Sequence, residues 1–253
     1  MAFLQGRHAL VTGGGRGIGR AIAAALMQAG AAVTIAGRNE TALAEAVGQG
    51  SASGYVIADV TDAQAMDSGV KRAMTARGPV DLLIANAGGA ESAPFSRTTS
   101  DQFRQMFELN VMGVVHATRA VLDGMRERHA GRIVAVASTA GLKGYGYVSA
   151  YCAAKHAVVG LVRSLAVETA SSGVTVNAVC PGYTDTEMVQ ESLARISAKT
   201  GRSRDEALGS LLKDSPLGRL VKPQEVAAAV LYLCSPEASA VTGTALVVAG
   251  GEI

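Results

Sequence analysis

Short apolar runs alternate with longer segments of helical period along the chain. "HALVT" (8–12), "AAVTIAG" (31–37), "GYVIADV" (54–60), "VDLLIANAG" (80–88), "GRIVAVAS" (131–138), "GVTVNAVCPG" (173–182) and "TALVVAGG" (244–251) are rich in aliphatic residues and show little polar alternation, as strands buried on both faces do. Between them, 17–29, 62–77, 99–128, 150–171 and 223–234 carry the amphipathic period of helices. Seven such strands separated by helices predict a parallel sheet covered on both sides, joined by right-handed crossovers. The expected fold class is therefore α/β, a doubly wound Rossmann-type domain. Ligands of such sheets bind beyond the carboxyl ends of the strands, so the polar residues just after each strand are the candidates for chemistry.

Composition narrows the function classes. The 253 residues contain no Pro-, Ser- or charge-rich linker, so a single domain over 1–253 is expected. With 49% hydrophobic and 17% charged residues the chain can bury a large aliphatic core, which excludes disorder. A net charge of +2 gives no reason to expect nucleic acid or a membrane surface as partner. Cys152, Cys180 and Cys234 form no CxxC pair and the four histidines show no ligand spacing, so no metal site is expected and the thiols fit a reducing compartment. The N-terminal apolar run is too short for a secretion signal and no 18-residue apolar span follows, which together predict a cytoplasmic protein.

The strand ends carry the motifs. After the first strand, "LVTGGGRGIGRAIA" places Gly13, Gly17 and Gly19 in a GxxxGxG spacing before a helix that starts near Ile18. Glycines there permit a tight turn and let backbone N–H groups approach a pyrophosphate at the helix N-terminus; a glycine-rich turn without ligand is the plainer alternative. After the second strand stands "AGRNE", with Arg38 where an acid would favour NAD. Arg38 with Arg16 suits a 2′-phosphate clamp and favours NADP(H), while Glu40 leaves NAD(H) open. Asp59 and Val60, after the third strand, are placed for the adenine edge, unless Asp59 merely caps the next helix. Asn86, Ala87 and Gly88 follow the fourth strand, where small residues let a ribose lie close.

Within "VSAYCAAKHAVVG", Tyr151 and Lys155 are the polar interruptions of an apolar helix, spaced i and i+4 on one face. They form either a solvated pair or a site.

Taken together, these residues resemble the short-chain dehydrogenase/reductase family along nearly the whole chain, closest in character to 3-oxoacyl-thioester reductases. The resemblance implies catalytic roles for Asn110, Ser138, Tyr151 and Lys155, with Pro181, Gly182 and Thr186 holding the nicotinamide carboxamide. Tyr151 would exchange a proton with the substrate oxygen while hydride passes to or from the nicotinamide, Ser138 would donate a hydrogen bond to that oxygen, and Lys155 would hold the ribose and favour the phenolate. Asn110 would help order water for a proton relay. Each also has a plain reading: Ser138 as a turn cap, Asn110 as a bend in a long helix, Thr186 as a helix start. Ala85 departs from the Asn that often precedes the Asn-Ala-Gly motif. The family further implies a small-molecule substrate and a homotetramer paired through 99–128 and 150–171.

The expected reaction is ketone–alcohol interconversion on a 3-oxoacyl or 3-hydroxyacyl thioester, carried by coenzyme A or an acyl carrier. A non-thioester alcohol, sugar or steroid, and a dinucleotide sensor without catalysis, stay open. The segment of about 187–213 is too long for an ordinary connection and is expected to act as a lid, with a solvated helical hairpin as the alternative. Its Lys199, Arg202 and Arg204 could hold the phosphates of a carrier arm, and Tyr145, Tyr147 and Tyr183 could line an acyl pocket.

Overall fold

Each of the seven apolar runs forms a strand in the computed structural model, which describes residues 2–253. The strands are β1 (His8–Thr12), β2 (Ala32–Gly37), β3 (Gly54–Ile57), β4 (Leu82–Ala85), β5 (Gly131–Val136), β6 (Val174–Pro181) and β7 (Ala245–Val248). They lie in one sheet in the order β3-β2-β1-β4-β5-β6-β7, and every pair is parallel. The order reverses direction between β1 and β4, which opens the crevice where such sheets bind ligands.

Alternation along the strands builds two cores. Leu10, Ile133 and Ala135 point to one face, against Met66 and Val70 of α3 (Ala63–Arg77), Val121 of α5 (Gly113–Glu127) and Val158 of α6 (Ser149–Thr169). Ala9, Val11 and Val134 point to the other, against Ile22 and Leu26 of α1 (Gly17–Gln28), Leu43 of α2 (Glu40–Gly48) and Val230 of α9 (Pro223–Leu233). Burial on both faces is why these strands carry no polar alternation.

Four features depart from the sequence pattern. First, α2 has no counterpart there, because only Leu43 and Ala46 of its nine residues are buried. Second, the expected 99–128 helix is broken into α4 (Ser100–Phe107) and α5 by a π-helical turn at Glu108–Met112, centred on Asn110. Third, 187–213 is not an extended loop but the helices α7 (Glu187–Thr200) and α8 (Arg204–Leu212). Fourth, Ser149–Ser172 has mean hydropathy 1.2 and is long and apolar enough to cross a membrane, contrary to the expectation of no such span. That stretch is the crossover helix packed between α4 and β6, which accounts for its apolar face. All three cysteines are buried and unpaired.

Candidate active site

The crevice is built first by the turn after β1. Gly13 N–H donates to Ala36 O at 2.7 Å, and Asn86 Nδ2 donates to Thr12 O at 2.9 Å and Gly13 O at 3.2 Å. The Thr12 hydroxyl oxygen accepts in turn from the Asn86 and Ala87 N–H groups, both at 3.0 Å. Asn86 thus staples the glycine loop to the end of β4. A Cβ at Gly13 would come within 2.9 Å of Asn86 Nδ2, and one at Gly19 within 2.3 Å of Gly13 O. Protein packing by itself requires glycine at both positions. Gly17, like Gly13, has a positive φ, +52° against +65°, but only Thr186, from the loop after β6, lies within 4 Å of its added Cβ. The α1 N-terminus has no side-chain cap and no acid in its first turn, which leaves its N–H groups for an anion. A dinucleotide pyrophosphate fits that cradle. Ile18 is partly buried against the core, so it anchors the helix start.

At the β2 end, Arg38 is exposed and lies 3.6 Å from Asp59. Asp59 also accepts from the Thr61 N–H and hydroxyl at 2.9 and 2.8 Å; burial pushes its carboxyl up, but these bonds and Arg38 outweigh it and hold the group below its ordinary range. The cap of α3 is Asp62, so Asp59 has no capping duty. Val60 is buried against Gly113, with its carbonyl 2.9 Å from His116 Nδ1. Arg16 pairs with Glu187 of α7 at 3.0 Å. Both exposed pairs are weak, so either arginine can exchange its carboxylate for a phosphate at little cost.

Tyr151 and Lys155 sit on successive turns of α6, with Lys155 Nζ 5.7 Å from the Tyr151 ring centroid. Ser138, after β5, accepts from Ala140 N–H at 3.1 Å as a turn cap, and its hydroxyl faces the Tyr151 phenol closely enough to favour the phenolate. Lys155 is 5% exposed and donates to Val136 O at 2.9 Å. Burial pushes the Tyr151 phenol up to about 12, with the neighbouring Ser138 hydroxyl opposing it, and burial brings Lys155 down to about 8. In the protein alone desolvation disfavours both charged forms, and the expected lowering of the phenol by Lys155 together with the positive nicotinamide belongs to the cofactor-bound state. At neutral pH Tyr151 is a proton donor.

Asn110 is fully buried. Its Nδ2 donates to Met106 O and Gly89 O, both at 3.0 Å, and its Oδ1 accepts from Gly89 N–H at 3.3 Å. It bends the helix and braces the loop after β4. A Cβ at Gly88 would come within 2.7 Å of Asn110 Oδ1, so this loop can approach only as glycine. Pro181 ends β6, Gly182 N–H donates to Val248 O at 3.1 Å, and Thr186 precedes α7. Ala85 is buried in register with Ala135, where an amide would have no room to reach water.

Lys155 gives a stability prediction. Its folded value, about 8, lies below its ordinary 10.5, so between those pH values the native chain binds fewer protons than the unfolded one and stability rises with pH. Below pH 8 the buried ammonium carries its full penalty, on the order of 3 kcal/mol, partly offset by its bond to Val136 O. Lys155→Met is expected to raise the Tm of the cofactor-free protein by about 5 °C at pH 7, with the gain fading towards pH 10. A Tm that falls at pH 7 in thermal unfolding would contradict this.

Three residues of the site carry no motif signal: Thr12, whose hydroxyl serves two N–H groups; Gly141, where a Cβ would come within 2.7 Å of Lys155 O; and Glu252 at the C-terminal end. The first two are ordinary small residues until the sheet brings them to β4 and α6.

Comparison with known proteins adds an independent view. A family model described as short chain dehydrogenase matches residues 7–196. The chain is similar to a 3-oxoacyl-(acyl-carrier-protein) reductase of Vibrio harveyi, 38% identical over 98% of both chains. It is also similar to an acetoacetyl-CoA reductase of Rhizobium meliloti, 40% identical over 97% of this chain and 98% of that one. Among solved structures, a variant of actinorhodin polyketide ketoreductase with NADPH superposes with a TM-score of 0.93 at 38% identity, covering 97% of each chain.

Proposed function

The chain belongs to the short-chain dehydrogenase family, as an oxidoreductase that uses a nicotinamide dinucleotide, and we propose that it prefers NADP(H) and interconverts 3-oxoacyl and 3-hydroxyacyl thioesters. The observation that carries the chemistry is the convergence of Tyr151 and Lys155, 5.7 Å apart on one face of α6, with Ser138 beside the phenol at the end of β5. When bound, the cofactor supplies or accepts hydride at nicotinamide C4. The protein does the rest. Ser138 donates to the substrate oxygen, and neutral Tyr151 gives its proton to that oxygen as the ketone becomes an alcohol. Lys155 holds the ribose hydroxyls and, with the oxidised nicotinamide, lowers the phenol for the reverse reaction. Asn110 braces the loop of Asn86, Ala87 and Gly88 and helps order water for the proton relay. Pro181, Gly182 and Thr186 hold the carboxamide, while the open α1 N-terminus takes the pyrophosphate.

The thioester rests on the names of the relatives and on the α7–α8 hairpin as a lid. Lys199, Arg202 and Arg204 are exposed; Arg202 donates to Ser210 at 3.0 Å and Arg204 to Gln190 at 2.8 Å, so neither bond neutralises its charge. They are suited to the phosphates of a carrier arm, whose binding energy positions the reacting carbon. We also place the enzyme in the cytoplasm, on its three unpaired thiols, and as a homotetramer, on the outer face of α6, where Val167 stands 82% exposed in the single chain. The test follows NADPH consumption at 340 nm with a coenzyme A thioester and its N-acetylcysteamine analogue. Wild type is expected to favour the phosphate-bearing substrate in kcat/KM by about tenfold or more, and changing Lys199, Arg202 and Arg204 to Ala should erase most of that preference. An unchanged preference in the triple variant overturns the lid's role.

A further inference from the structure

The last residues of the chain return to the active site. Gly250 and Gly251 have φ of +59° and +87°, and this left-handed turn after β7 folds Glu252 back. The Glu252 side chain is 5% exposed. Lys143 Nζ lies 3.2 Å from its carboxylate and donates to its backbone carbonyl at 3.1 Å. The Tyr145 hydroxyl contacts the same carboxylate and lies 2.6 Å from Thr139 Oγ1. A phenol has one proton and an ionised carboxylate only accepts, so that proton goes to Glu252 and the Thr139 hydroxyl donates to Tyr145. On its other side, Glu252 Oε2 lies 2.8 Å from where a Cβ on Gly182 would stand, so it packs against bare backbone. Tyr145 in turn meets the Tyr183 ring edge-on, with centroids 6.1 Å apart.

One buried carboxylate therefore joins the loop after β5, the loop after β6 and the C-terminal end. A carboxylate this enclosed is tolerated only with its partners in place, which couples the order of the three segments. We propose that Glu252 is a positioning residue that sets the substrate-facing wall of the active site, holding Tyr145 and Tyr183 as a fixed aromatic pair beside Ser138 and Gly182. That an acyl group meets this wall rests on the thioester reading; the positioning itself does not.

The test compares wild type, Glu252→Ala and Glu252→Gln, the last keeping an acceptor for Tyr145 while losing the ion pair with Lys143. Glu252→Ala should raise the ketone KM by about tenfold or more, with kcat changed less and the NADPH Kd within about twofold, and Glu252→Gln should recover much of the loss. Amide hydrogen exchange over 139–148 should quicken by about tenfold in Glu252→Ala. A KM within about twofold of wild type, or unchanged exchange, overturns the proposal. If Glu252→Ala does not fold, Tyr145→Phe removes the same bond while leaving Glu252 paired with Lys143, and the same criteria apply. Wild type that ignores thioesters but reduces another ketone sinks the substrate reading alone, and the comparison proceeds with that ketone. If it reduces none, exchange alone decides.

Discussion

Tyr151→Phe is expected to lower kcat by about 10³–10⁴-fold, because it removes the proposed proton donor and leaves the ring that packs against the core. Ser138 keeps the bond it accepts from the Ala140 N–H and is only partly buried, so its own O–H can turn to solvent after the change. Fold and NADPH affinity should therefore survive, which separates a chemical loss from a structural one. The pH dependence provides a second readout. Burial holds the phenol up at about 12 in the protein alone, so ketone reduction, which uses the neutral form, should be level across neutral pH. Alcohol oxidation needs the phenolate and should rise with pH, and the residual activity of the Phe variant should lack that rise. Steady-state rates from pH 6 to 10 with an NADPH titration check both. Near-normal turnover in the variant would remove Tyr151 as the proton donor.

Arg38→Asp is expected to shift the NADP(H) to NAD(H) ratio of kcat/KM by about 10–100-fold towards NAD(H). The wild-type arginine is 73% exposed at its side chain and 3.6 Å from Asp59, a contact of little energy that a 2′-phosphate can displace. The substitution sets a second carboxylate beside Asp59, which repels a phosphate and offers a ribose hydroxyl an acceptor. Measuring both cofactors in wild type and variant decides the point, and a wild type that already prefers NAD(H) makes the proposed preference wrong.

The seven strands were legible because an aliphatic run without polar alternation satisfies its side chains only when both faces are covered, and that requirement is local to the run. The motif residues were legible for a related reason. Gly13 to Gly19, Asn86 to Gly88, Ser138 and Pro181 to Thr186 all stand just beyond strand ends, where a parallel sheet gathers its polar groups. The i, i+4 spacing of Tyr151 and Lys155 likewise declared a shared helix face. Helix α2 escaped notice because it buries too little to leave a periodic trace, and the long helix appeared unbroken because its break rests on Asn110 bonding Gly89, across the crevice.

The amino-acid sequence by itself determined the sheet, the end at which polar residues gather and the pairing of the phenol with the ammonium, since the first two follow from unbroken apolar runs separated by helices and the last from a period of 3.6 residues. Only the tertiary structure decided that Gly13 and Gly19 answer to Asn86, that Arg16 meets Glu187, and that Glu252 closes on Tyr145 from 107 positions away. It also decided how strongly burial raises the Tyr151 phenol in the protein alone. Spacing along a helix says which groups are neighbours, whereas a pKa depends on how much water the surrounding fold removes, and that quantity is contributed by segments distant in the chain.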